Sequence, residues 1–116
     1  MHEPSMWPPE LDALQAAPAQ HRLVLENDRV RVLDTRIAPG ERTPVHTHQW
    51  PAAHHVVSWS DFVRRDETGA VLLDTRIAGV TAASGDVLWG ASLGRHSLEN
   101  VGTEPLHIMS VEIKPA

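Results

Sequence analysis

From Leu23 onward the chain is written in short apolar and β-branched runs cut every 8–12 residues by glycine, proline, asparagine or aspartate. The runs are L-V-L-E, R-V-R-V-L-D-T-R-I, H-H-V-V-S-W, D-F-V-R-R-D, A-V-L-L-D-T-R-I, G-V-T-A, V-L-W, H-S-L-E-N and L-H-I-M-S-V-E-I. No segment of useful length repeats with a helical period. Many short strands with regular turn signals specify an all-β sandwich or barrel. At 116 residues the chain makes one such domain and no second. Residues 1–21 are proline-rich and form an N-terminal arm in which Pro9 to Ala17 can make two or three helical turns before Pro18 stops them. The barrel is expected over 22–116.

The phrase V-L-D-T-R-I-A at 32–38 nearly recurs as L-L-D-T-R-I-A at 72–78. One seven-residue match is too short to establish a duplication. In L-H-I-M-S-V-E-I both faces of the strand carry apolar residues, which calls for a second covering surface and leads us to expect a homodimer.

Composition narrows the chemistry. The net charge is −5 and the ten basic residues are scattered, so nucleic acid is not an expected partner. There is no cysteine, which removes disulfides, thiolate ligands and iron–sulfur clusters and leaves histidine and carboxylate as metal ligands. No run of about eighteen apolar residues and no signal-like N-terminus is present, so a cytoplasmic protein without membrane contact is expected.

Eight histidines remain to be placed. His46 and His48 alternate within P-G-E-R-T-P-V-H-T-H. On a strand, alternate side chains share a face, so the two can grip one ion if a distant strand supplies a third ligand. His96, in G-D-V-L-W-G-A-S-L-G-R-H-S-L-E-N, is the candidate third ligand. His2, His21 and His107 lack ligand spacing.

The two histidine segments resemble the paired motifs of the cupin superfamily. The first motif reads G, five residues, H-x-H, three or four residues, E, six residues, G. Gly40, His46 and His48 keep that spacing, but the glutamate position falls on Ala52 or Ala53 and the closing glycine near Trp59 or Ser60. The second reads G, five residues, P-x-G, two residues, H, three residues, N. Gly85, His96 and Asn100 keep it, with Ala91 and Leu93 in place of the proline and glycine. The resemblance implies a double-stranded β-helix, a jelly-roll barrel. It also implies a divalent transition metal on His46, His48 and His96. Iron(II) is favoured, and zinc, nickel, manganese and copper are the other ions imidazole accepts.

With the motif glutamate absent, three neutral ligands leave the ion its full charge and favour an anionic small-molecule substrate. His54, on the face of the missing glutamate if the strand is regular, is a candidate fourth ligand or proton shuttle. Trp50 and Trp89 are candidates for the pocket wall or for plain packing. Arg42 and Arg95 flank the histidine segments and could clamp a carboxylate or lie in solvent. Asn100 is expected to satisfy turn backbone. The resemblance implies a metal-dependent enzyme of the dioxygenase type acting on a small anionic compound. A non-catalytic ligand- or metal-binding cupin, and a Lewis-acid isomerase or lyase, remain alternatives, since one fold hosts many activities.

Overall fold

The computed structural model describes residues 6–116. His2 lies outside them. A 3-10 turn at Pro9–Leu11 and a one-turn helix α1, Ala13–Ala16, precede nine strands. These are β1 His21–Glu26, β2 Val30–Ile37, β3 His46–His48, β4 Ala52–Ser58, β5 Phe62–Asp66, β6 Val71–Asp74, β7 Val87–Gly90, β8 Leu93–Asn100 and β9 Leu106–Ile113. A second one-turn helix, α2 Thr75–Ala78, follows β6. The strands form two antiparallel sheets, β1-β2-β9-β4-β7 and β3-β8-β5-β6, among the described residues.

Register decides what faces the interior. Along the large sheet Leu33, Ser110, His54 and Leu88 are opposite one another, and the next inward row is Arg31, Glu112, Ala52 and Gly90. On the small sheet His46 pairs with His96, Leu98 with Arg64 and Asn100 with Phe62. Ile37, Phe62 and Leu106 make the buried apolar cluster, with Trp59, Leu73, Leu98 and Ile108 packed on it. The opposite, outward face of β2 presents Asp34, whose carboxylate takes hydrogen bonds from Arg22, Arg36 and His107.

The described part of the arm is tied down at Asp12 and Leu11. Asp12 accepts from the backbone N–H of Leu14 and so caps α1, and its carboxylate grips Arg31 with two bonds, at 3.0 and 2.9 Å. Asp12 also bridges β3 at Thr47, whose hydroxyl bonds the Leu11 carbonyl. The arm therefore packs against the back of the strand that carries the H-x-H pair.

Two strand expectations are corrected. The segment read as one strand at A-V-L-L-D-T-R-I stops at Asp74 and turns into α2, and G-V-T-A is loop. The near-identical phrase at 32–38 is continuous strand. At 72–78 the Asp74 side chain accepts from the Arg76 backbone N–H, and Gly79, at φ 68°, closes the turn in the left-handed region that favours glycine. At 32–38 no glycine follows directly, and β1 and β9 take both edges of the strand. Local caps decide the second copy and ladder partners the first.

Candidate metal centre

Four histidines, from three strands, converge inside the barrel. His46 and His48 share a face of β3 by alternation, with ring centroids 4.9 Å apart. Antiparallel pairing sets His96 of β8 opposite His46, and these rings are 4.4 Å apart. The fourth is His21, the first residue of β1, 4.8 Å from His46 and 5.3 Å from His48. Sequence reasoning set His21 aside, and the structure brings it into the cluster. One nitrogen each from His21, His46 and His48 forms a set whose members all lie within 4.8 Å of one another. His96 adjoins that set, its ring 5.6 Å from that of His48.

Each ring is held by its Nδ1. The partners are the backbone carbonyls of Ala17 for His21, Pro44 for His46 and Gly94 for His96, at 3.0, 2.8 and 2.6 Å. For His48 the partner is the Glu112 carboxylate, at 3.1 Å. Carbonyl and carboxylate oxygens only accept, so Nδ1 is the protonated nitrogen and Nε2 carries the lone pair. All four rings line the same cavity. Metal-binding imidazoles are oriented in this way, one nitrogen tied to an acceptor and the other presented.

The rings are also neutral. Burial drives His21 and His46 down to about 4 and His96 to about 3, and neighbouring charge on the cluster adds to this. Burial pushes His48 well below its usual value too. The donor set thus fits a borderline transition ion: neutral imidazoles, fixed tautomers and shielded lone pairs.

Behind His48 runs a chain of charges. Glu112 is 1% exposed, accepts from Arg31 Nε at 2.6 Å and faces His48 with its other oxygen. Burial raises the Glu112 pKa while Arg31 opposes the rise. For Asp12 the balance is reversed: burial opposes ionisation, but Arg31 outweighs it and the carboxyl stays below its usual range. Arg31 is thus shared between the arm and the carboxylate that holds His48.

The cavity has a volume of about 420 Å³. Its wall combines the four histidines and His54 with Ile37, Phe62, Leu98, Leu106 and Ile108. Among the described residues no aspartate or glutamate is part of it, and Arg64 is the one arginine. His54 points inward, with Nδ1 at 2.7 Å from the Ser110 hydroxyl. Gly90 makes room for it, because a Cβ there would stand 2.7 Å from His54 Nε2. Trp89 lines the cavity and is 67% exposed, which puts it at the mouth. Trp50 is placed elsewhere, under the cationic groups of Arg31 and Lys114 at 5.1 and 5.3 Å. Arg95 pairs with Glu67 near the surface, and neither it nor Arg42 reaches the cavity wall. Asn100 is fully buried and holds turn backbone, its amide donating to Ile37 and Glu104 carbonyls and its oxygen accepting from Gly102 and Ser60.

The residues missed by sequence reasoning are His21, Glu112, Arg31 and Arg64. A charged residue inside an otherwise apolar strand was the available signal for Glu112 in L-H-I-M-S-V-E-I. His21 offered none, since its place depends on the β1–β2 register.

No helix among the described residues is long and apolar enough to cross a membrane. No family model matches the chain, and no curated protein matches it. Solved structures do. A cupin domain from Bordetella pertussis Tohama I superposes with a TM-score of 0.64 at 18% identity, over 82% of this chain and 92% of that one. An RmlC-like cupin family protein with a double-stranded β-helix fold, from Methanocaldococcus jannaschii, gives 0.56 at 11% identity, over 80% and 77%. A predicted oxalate decarboxylase from Thermotoga maritima gives 0.50 at 22%, over 82% and 79%. With two antiparallel sheets enclosing a histidine cluster, and with these neighbours, the chain has the double-stranded β-helix fold of the cupins.

Proposed function

We propose that the protein is a metal-dependent enzyme of the dioxygenase type, acting on a small anionic organic substrate inside the barrel. The observation that carries this reading is the convergence of four neutral imidazoles, each tied at Nδ1, on a cavity that no carboxylate among the described residues lines. A divalent transition ion on neutral ligands keeps its charge, so it would supply Lewis acidity toward an anion and, as iron(II), a source of electrons for dioxygen.

The chain's own residues do the rest. The backbone carbonyls and Glu112 hold the rings in one tautomer. The apolar wall excludes water and strengthens attraction between opposite charges inside. His54, on Ser110, is placed to hold a proton at the cavity surface. An isomerase or lyase, the alternative reading, needs a base against its substrate, and with no acidic side chain in the wall among the described residues that base would be an imidazole such as His54. We further propose that the protein acts as a homodimer, through the exposed edge strand β1, where Leu23, Val24 and Leu25 are 43%, 45% and 50% exposed.

The test begins with elemental analysis of untagged protein purified without chelator. Iron(II) is then restored under anaerobic conditions, carboxylates, thiols and β-dicarbonyl compounds are titrated while the metal spectrum is followed, and oxygen is admitted. Substrate-dependent oxygen consumption is the expected result. A fully loaded site that no anion perturbs and that consumes no oxygen would overturn the enzymatic reading and leave a non-catalytic binding protein.

A further inference from the structure

Arg64 is a cation inside the barrel that meets no anion among the described residues. It lies on β5, opposite Leu98 of β8 and Leu73 of β6, on the face that lines the cavity. Its Nε is buried without a hydrogen-bond partner. Its guanidinium carbon stands 5.7 Å from the centre of the Phe62 ring. Burial alone pulls its pKa down, with no neighbouring carboxylate acting against the shift.

The other arginines near the barrel wall differ. Arg31 is neutralised by Asp12 and Glu112, and the adjacent Arg65 pairs with Glu99 at 2.8 Å. Holding a guanidinium partly out of water without a counter-ion is unfavourable. Its planar fork is also the side chain best matched to a carboxylate.

Geometry relates Arg64 to the histidines. His96 and Leu98 are two residues apart on β8, and Arg64 is opposite Leu98, so it stands one strand across and two residues along from His96. That offset is about 8 Å between backbone positions. The charge of Arg64 is felt at both His96 and His54, whose protonated forms it disfavours. Between the two polar ends the wall is apolar: Phe62, Leu98, Leu106 and Ile108.

We propose that Arg64 is a carboxylate anchor, and that the cavity takes an organic monocarboxylate whose apolar body lies along Phe62, Leu98 and Ile108 while its far end reaches the histidine cluster. This deepens the reading of the cavity as a substrate site, but the anchor itself needs no metal. Inorganic anions offer the same charge without an apolar body, so the walls set the preference.

The test uses metal-free, full-length protein with hexanoate as the probe and 1-hexanol and inorganic phosphate as comparators. Binding is followed by calorimetry and by the fluorescence of Trp59 and Trp89, both in the cavity wall. Hexanoate is expected to bind at least tenfold more tightly than either comparator. Arg64→Gln is expected to weaken hexanoate at least tenfold, leave 1-hexanol unchanged and raise the melting temperature, because an uncompensated charge is gone. Arg64→Lys should retain part of the hexanoate affinity.

A lowered melting temperature or failure to fold in Arg64→Gln, or hexanoate binding insensitive to it, would make Arg64 a packing residue and overturn the anchor. Hexanoate that binds only after metal loading, and equally well in Arg64→Gln, would also overturn the anchor while sparing the metal site. Arg64-dependent binding in a protein that takes up no metal would uphold the anchor and fell the metal reading instead.

Discussion

Glu112 lies directly opposite Ala52 across the β4–β9 ladder, on the inward face both share. Ala52 is one of the two positions at which the cupin-like motif lacks its glutamate. A carboxylate is therefore present at the site's edge, but it comes from a neighbouring strand and meets a different atom: it bonds His48 Nδ1 rather than lying in the cavity wall. A glutamate on β4 would offer an anionic ligand. Glu112 leaves the donor set neutral and acts through the ring it orients.

Glu112→Gln should therefore weaken metal binding without removing a ligand. Loss of an orienting partner behind a ligand histidine typically costs 10–100-fold in metal affinity. The expected outcome is a fall of that size in a competition titration against a chromophoric chelator, with the fold retained by circular dichroism. An unchanged affinity would show that His48 needs no carboxylate behind it.

Alanine at His46, His48, His96 or His21 should lower metal content sharply in untagged protein analysed for bound metal. His21 is the informative member. Spacing in the sequence excluded it, whereas its ring contacts both His46 and His48. His107→Ala should change nothing, because that ring is turned outward onto Asp34 at 2.8 Å. Full occupancy in His21→Ala would restrict the ligand set to the three histidines the motifs supplied.

What was legible in the sequence was local. Alternation on a strand put His46 and His48 on one face, and turn residues fixed where strands end. Of the distant contacts, the meeting of His96 with His46 was legible through the second motif, but the others depend on register between strands far apart in the chain. His21 enters the site through its pairing with Thr35, and Glu112 through a ladder that joins β2, β9 and β4. The two copies of D-T-R-I-A make the same point from the other side. Identical residues are extended in β2 and half helical after β6, because Gly79 and the Asp74 cap were available to one copy and two ladder partners to the other. The inward Arg64 was hidden in the same way, since F-V-R-R-D reads as an alternating strand with either arginine outward.

The homodimer is expected to form through β1. That strand has one hydrogen-bonding edge paired to β2, and the other is open among the described residues. Open edges with apolar side chains pair readily with a second copy. Sedimentation velocity at micromolar concentration should show a dimer, and Leu25→Lys should shift it to monomer with the metal site intact. A monomer across that range in the unmodified protein would sink the assignment.

The metal-free protein should lose stability as the pH falls from about 6.5 toward 4. The sign follows from the buried rings. An exposed histidine in the unfolded chain takes up its proton near 6.5, whereas His21 and His46 in the folded protein resist it until about 4 and His96 until about 3. Between those values the unfolded state binds more protons than the folded one, so acidification favours unfolding. Each ring adds about 1.4 kcal/mol per pH unit to the slope once the unfolded residue is fully protonated. These three rings, together with His48, which burial also holds well below its usual value, make the dependence steep, and His96→Asn should make it shallower by one ring. Urea unfolding midpoints of the chelator-treated protein at pH 7, 6 and 5 measure this directly. A midpoint that stays level across the range would mean that the rings protonate in the folded protein as freely as in water, and the neutral, lone-pair-presenting cluster would have to be given up.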